Sequence, residues 1–227
     1  MKHPARATDS SSVSSEDGAA LHPHRKSFAL VIAVALWLLA VVGGVVALAA
    51  YSNSPCNAGA PPAHWPKESG IPLDLGKPTL VFLAHPRCPC TRASLGELEL
   101  LLAEAQGLVS AHVVFIRPAG TAEAWVDTDL WRAAEAIPGV TIHCDDSGVE
   151  TRRFGSETSG ETLLYEPDGH LAFQGGITVA RGHSGDNPGR DTLLALLRDG
   201  TAQRRETPVF GCRMFGVEPQ PGGSKCE

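Results

Sequence analysis

Cysteine, aromatic and charged residues are all scarce in this chain of 227 residues. Six cysteines are too few to staple a domain of this length, so each has to be placed individually. Aromatics amount to 6% and charged residues to 19%. Set beside 43% apolar residues, those figures exclude a disordered or collagen-like chain. Internal repeats are absent. The glycine-rich stretch GGITVARGHSGDNPG, residues 175–189, is followed by no Gly-Lys-Ser/Thr and so is not a phosphate loop. From Ser27 to Pro66 there is no Asp, Glu, Lys or Arg at all.

That uncharged region holds what is most plainly present, the apolar run Phe28 to Ala50. It also lacks proline. At a rise of ~1.5 Å per residue its 23 residues span about 34 Å, enough for a bilayer core. Arg25 and Lys26 precede it, and the first Lys beyond it is Lys67. The positive-inside rule then puts residues 1–27 in the cytoplasm and the C-terminal part outside. Ala47-Leu48-Ala49 resembles a signal cleavage site, but the run exceeds the usual ~7–15 apolar residues of a signal peptide, so an uncleaved single-pass anchor is expected. The 177 residues after it carry a net charge of −7, which argues against nucleic acid as partner. Residues 1–27 read as a disordered tail, 28–50 as the transmembrane helix, 51–75 (five prolines) as a linker, 76–216 as one folded domain and 217–227 as a loose tail.

Within the domain, TLVFLAH (79–85) and AHVVFIR (111–117) suit buried strands, and Val140–Cys144 a third. Thr91–Gln106 carries Leu95, Leu98, Leu102 and Ala105 at helical spacing. Residues 121–137 suggest one helix or two short ones, and 148–155 another short one. Glu166-Pro167-Asp168-Gly169 between two apolar runs signals a hairpin, and Arg190–Arg198 closes as an amphipathic helix. The order β-α-β-α-β-(α)-β-β-α predicts an α/β domain, a mixed sheet flanked by helices, parallel early with a late antiparallel hairpin.

The chemistry is expected in HPRCPCTRAS, residues 85–94, where Cys88 and Cys90 fall between the first strand and a helix. Free N–H groups and partial positive charge at a helix start stabilise a thiolate, and Arg87 and Arg92 are expected to push the same way. Pro89 suits a first-turn position and fixes the backbone between the sulfurs. A Cys88–Cys90 bond would be strained and easily reduced. Helix-start geometry favours Cys88 as the exposed attacker and Cys90 as the sheltered resolver. Cys212, in VFGCRMF beyond the last helix, is an auxiliary redox candidate if the C-terminal segment folds back, the alternatives being packing or a bond with Cys226. Cys144 reads as a small buried hydrophobe. Cys56, in the linker, is left open between pairing two anchored chains and staying free. His85 is placed to hydrogen-bond a thiolate. Arg181 and Arg190 read as exposed salt-bridging residues, and His183 as a loop residue able to reach the cysteine end of the sheet.

These features resemble the thioredoxin superfamily over roughly residues 70–200. Arg87-Cys88-Pro89-Cys90 matches that family's Cys-Gly-Pro-Cys with the first cysteine moved one position inward. Gly160-Glu161-Thr162 stands where the family has a cis-proline facing the active cysteines, which makes Thr162 a supporting residue. HPRCPCTRAS, LLYEPDGHLAFQGGITVARGHSGDNPGRD and TPVFGCRMF are similar to stretches of membrane-anchored bacterial proteins of the RedB type. The resemblance implies a thioredoxin-like domain on the periplasmic side of a bacterial inner membrane. It also implies thiol–disulfide exchange with protein thiols or disulfides through Cys88 and Cys90, with His85, Arg87, Pro89 and Thr162 in support and no cofactor. The alternative is a copper-binding protein of the Sco type with Cys88, Cys90 and His183 as ligands, since two thiolates and an imidazole suit copper. A non-catalytic binding module on the same fold is the third reading. A peroxiredoxin is disfavoured, because no Thr stands three residues before either cysteine.

Overall fold

The computed structural model describes residues 23–216. The chain divides into two units, residues 1–47 and 48–227. Helix α1, Pro23–Ser52, contains one stretch, Ser27–Ser52, that is long and apolar enough to cross a membrane. The expectations for residues 1–22 and 217–227 lie outside the described residues.

The second unit is built on a five-stranded sheet. Its elements are β1 (Thr79–Ala84), α2 (Pro89–Glu104), β2 (Ser110–Arg117), a 3₁₀ turn (Glu123–Trp125), α3 (Asp129–Glu135), β3 (Val140–Asp146), α4 (Val149–Arg153), β4 (Glu161–Tyr165), β5 (Leu171–Gly176) and α5 (Pro188–Asp199). The strand order is β3-β2-β1-β4-β5. β1 and β2 are parallel, as are β2 and β3; β4 runs antiparallel to both β1 and β5. The mixed sheet matches the pattern read from the sequence. β1 is central and buried along its whole length, because TLVFLA offers no polar face apart from a satisfied threonine.

Alternation along the strands divides the core in two. Leu80, Phe82, Val113 and Phe115 face Leu95, Leu98 and Leu101 of α2 and Leu193 and Leu196 of α5. Val81, Leu83, Val114, Ile116, Leu163 and Tyr165 face the other way, onto Phe154, Ile71 and Met214. Each fully buried Leu or Phe contributes roughly 1.5–3 kcal/mol. Much of that second face is covered by irregular chain. Residues 51–75, expected to be a linker, are strapped on instead: Trp65 N–H donates to Gly169 O (2.7 Å), Tyr165 Oη donates to Pro62 O (3.0 Å) and Leu171 N–H donates to Ala63 O (2.9 Å). The prolines there favour an extended strap, and Trp65 and Ile71 give it apolar anchors.

The segment 206–214 crosses the other end of this layer. Val209 O accepts from Cys56 N–H (2.9 Å), Cys212 O from Ser159 N–H (2.8 Å), and Glu157 O from Met214 N–H (2.9 Å). These bonds hold Cys212 close to the C-terminal end of β1.

Candidate functional site

The turn after β1 places Cys88 at the N-cap of α2, Pro89 at the first helical position and Cys90 in the first turn. Proline starts the helix because its missing N–H would have no partner there, and Cys88 has the extended backbone of a cap, φ −87° and ψ 115°. The cysteine pair thus lies at the helix start, as the sequence indicated. The exposure of the two sulfurs is reversed, however. Cys88 is buried, with 1% of its surface exposed, and Cys90 is half-buried.

Cys212 completes the cluster. All three thiols are free, and Ser159 brings Cys212 to the first turn of α2, its N–H donating to Cys212 O (2.8 Å) and its Oγ lying 2.7 Å from Thr91 Oγ1. The Cys88 thiol is held far below its ordinary range, chiefly by the Cys212 thiol. The Cys90 thiol acts next, burial opposes, and the Thr91 hydroxyl and amide add to the stabilisation. Cys90 is shifted upward: the Cys212 thiol favours its ionisation, but its bond to Cys88, burial and the Cys88 charge outweigh that and the Arg181 cation. Cys212 is pushed far up, first by donating to Cys88, then by donating to Cys90, then by burial. The three sulfurs therefore share one negative charge, and the second proton is hard to remove.

The surroundings keep this cluster in place. Thr91 Oγ1 and Ser159 Oγ are 2.7 Å apart and buried, and Ser159 Oγ also accepts from His85 N–H at 2.8 Å. Arg181 donates through one nitrogen to Gly211 O (2.6 Å) and through the other to Cys56 Sγ (2.8 Å). Cys56 is disulfide-bonded within this single chain, neither free nor joined to a second copy. Buried Glu97, in α2, accepts from Gly185 N–H (2.7 Å), Asn187 Nδ2 (3.1 Å) and Arg190 (2.6 Å). That pins the loop after β5 to the helix that carries the cysteines.

Several expected roles change. Arg92 pairs with Asp129 on the surface, and Arg87 stacks over Trp125, 4.9 Å from its ring centre, so neither is directed at the sulfurs. Arg181 and Arg190 are not exposed salt-bridging residues; both are buried or nearly so, against Gly211 and Glu97. His85 lies near Cys88, but its Nδ1 accepts from Arg87 N–H (3.2 Å), leaving the ring proton on Nε2. Its pKa is lowered, first by burial, with the Cys88 charge opposing and Arg87 assisting. Thr162 is fully buried in β4 and donates at 3.5 Å to Gly160 O, whereas Thr91 is the threonine that acts on Cys88. The Gly160-Glu161-Thr162 turn has no cis peptide, and none occurs among the described residues.

Cys144 is exposed rather than buried, because β3 is an edge strand and turns that side to solvent; partial desolvation and Asp146 push its thiol up to about 11. His183 is exposed, its Nδ1 3.3 Å from Arg181 O. Among the described residues no three His, Cys, Asp or Glu side chains are arranged to hold a metal ion, so the set Cys88, Cys90 and His183 is not assembled. Thr91, Ser159, Gly211 and Glu97 went unassigned in the sequence. Thr91 alone carried a signal, as the third residue after a capping position.

No protein-family model matches the chain, and no curated protein matches it either. Solved structures do. A hypothetical protein from Sinorhizobium meliloti 1021 is 20% identical with a TM-score of 0.50, over 72% of this chain and 96% of that one. An uncharacterized conserved protein from Geobacillus kaustophilus is 14% identical with a TM-score of 0.52, over 74% and 95%. The pneumococcal exposed lipoprotein thioredoxin Etrx1, from Streptococcus pneumoniae strain TIGR4, is 18% identical with a TM-score of 0.41, over 55% and 85%. Identities this low speak to the fold alone: the structures with TM-scores of 0.50 and 0.52 share this chain's mixed-sheet fold with flanking helices.

Proposed function

We infer that the chain is a membrane-anchored, extracytoplasmic thiol–disulfide oxidoreductase, in line with its resemblance to RedB-type proteins. One observation carries the reading: two free cysteines stand at the N-cap and first turn of α2, and a third, Cys212, is brought beside them by Ser159. A thiolate is the nucleophile in disulfide exchange, and a helix start is where proteins stabilise one. The apolar helix, the positive charges before it and the acidic domain after it support placement outside the cytoplasm, on the periplasmic side of a bacterial inner membrane. A disulfide at Cys56 fits an oxidising compartment. The partners are then protein thiols or disulfides.

The copper reading has less behind it, since His183 lies apart from the cysteines and no three-ligand set is formed among the described residues. A binding module without redox chemistry would have no use for three free cysteines gathered at a helix start.

The test is equilibration of the full chain, in detergent, with glutathione buffers of graded potential, followed by thiol counting and mass spectrometry. A reversible two-electron couple among Cys88, Cys90 and Cys212 is expected. Thiols that stay reduced at every potential would sink the assignment.

A further inference from the structure

The natural expectation for a Cys-Pro-Cys pair is that its two sulfurs bond to each other. The geometry argues otherwise. Cys88 is the cap residue and 1% exposed, so an incoming disulfide cannot reach it. Cys90, in the first turn and half-buried, can be reached. Pro89 stiffens the single residue between them, and a bond across it would have to close within the turn that starts α2. Cys212 has no such restriction. It arrives on a separate segment, is half-buried, and is held by Ser159 beside the first turn of α2.

The approach of that segment is built in. Ser159 N–H donates to Cys212 O, Arg181 donates to Gly211 O, and Gly211 packs on the Ser159 carbonyl so closely that no side chain fits between. The same Ser159 hydrogen-bonds Thr91 beside the cysteines. Cys212 is thereby held in register with the first turn of α2.

We propose that the working dithiol is Cys90 with Cys212, and that buried Cys88 stays reduced beside them. This deepens the oxidoreductase reading and rests on it. In the first step Cys90 loses its proton to solvent and its sulfur attacks one sulfur of a substrate disulfide RS–SR. The substrate S–S bond breaks, a Cys90–SR bond forms, and RS⁻ leaves with the electron pair and takes up a proton from solvent. In the second step Cys212 loses its proton to solvent and its sulfur attacks Cys90. The Cys90–SR bond breaks, Cys90–Cys212 forms, and the second RS⁻ leaves and is protonated. Two thiols are oxidised, one disulfide is reduced to two thiols, and Cys88 ends as it began.

The experiment oxidises the full chain in detergent with glutathione disulfide, quenches with acid, alkylates, and maps cross-linked peptides without reduction. Cys90–Cys212 is expected as the dominant new bond, and a dominant Cys88–Cys90 or Cys88–Cys212 bond overturns the assignment. C212S should accumulate glutathione on Cys90 and release the second glutathione at least tenfold more slowly; unchanged release overturns it. C88S should still form Cys90–Cys212, and a folded C88S chain that cannot form it overturns the assignment. If C88S does not fold, the wild-type peptide map still decides. If no cysteine takes up glutathione at all, the oxidoreductase reading falls with it, whereas oxidation through a different pair sinks only the present assignment.

Discussion

Gly211 and Ser159 touch backbone to backbone: a Cβ on Gly211 would stand 1.8 Å from the Ser159 carbonyl oxygen. Neither partner is the tip of a flexible side chain, so the contact cannot be relieved by a rotamer change. Glycine is needed here for space, because only hydrogen fits between the two backbones.

G211A should therefore lift the 206–214 segment away from residues 158–160 and carry Cys212 with it. Overpacking of this kind costs ~1–3 kcal/mol, and a backbone clash belongs at the upper end. Thermal unfolding of the full chain should show a lower Tm. The Cys88 thiol should also rise toward its ordinary value, because its first stabilising partner has moved. A G211A chain with unchanged Tm and unchanged thiolate absorbance would show that the segment is not fixed where the structure puts it.

Much of this architecture was legible in the sequence because the strands are continuous apolar runs and α2 and α5 are punctuated by their own residues. Asn187 caps α5 by accepting from Arg190 N–H at 2.8 Å, Pro188 follows it, and Gly200 ends the helix with φ +68°. The position of the Cys-Pro-Cys pair was equally clear, since a proline between two cysteines after an apolar run marks a strand-to-helix turn. Which sulfur faces outward was not. That depends on the segments 156–160 and 206–214, which are distant in sequence and meet the start of α2, through Ser159 and Thr91, only once the chain has folded. The same holds for Arg181, whose partners Cys56 and Gly211 are 125 and 30 residues away. Periodicity describes local elements; it says nothing of which loops lie on top of them.

Thiolate formation gives a second prediction. Cys88 is held well below the ordinary thiol value first by Cys212 and then by Cys90, against burial. The reduced chain should show close to one thiolate by ultraviolet absorbance at pH 7, and this signal should vanish in C88S. C212S should shift its titration upward more than C90S does, following the order of the two partners. Equal shifts, or none, would show that the helix start alone accounts for the acidity.

Glu97 is a third case. Its side chain is 1% exposed and satisfies three donors at once, Arg190 among them, which is itself only 11% exposed. Removing one member of a buried ion pair leaves the other charge without compensation and costs ~3–5 kcal/mol. E97A should lower stability on that scale in chemical unfolding. E97Q should cost less, since an amide oxygen can still accept from Gly185 N–H. A loss in E97A below about 1 kcal/mol would place the pair among ordinary surface contacts.

Glu161 sets the pH dependence. It opens β4, has no exposed surface, and neither carboxyl oxygen has a hydrogen-bond partner within ordinary distance. Burial pushes its pKa up to about 8 from an ordinary 4.5, opposed by Ser156 and the Glu157 amide and assisted by the Glu157 charge. Above pH 4.5 the unfolded chain has lost this proton, while the folded chain keeps it until about pH 8. The folded state therefore binds the extra proton throughout that window, and its stability falls as pH rises across it. The total loss from this group is on the order of a few kcal/mol. E161Q has no proton to lose. It should match the wild type near pH 4.5, exceed it progressively toward pH 8.5, and flatten the curve of stability against pH. Urea unfolding of both chains at four pH values checks this, and parallel curves for the two would mean that Glu161 ionises in the folded chain as freely as in the unfolded one.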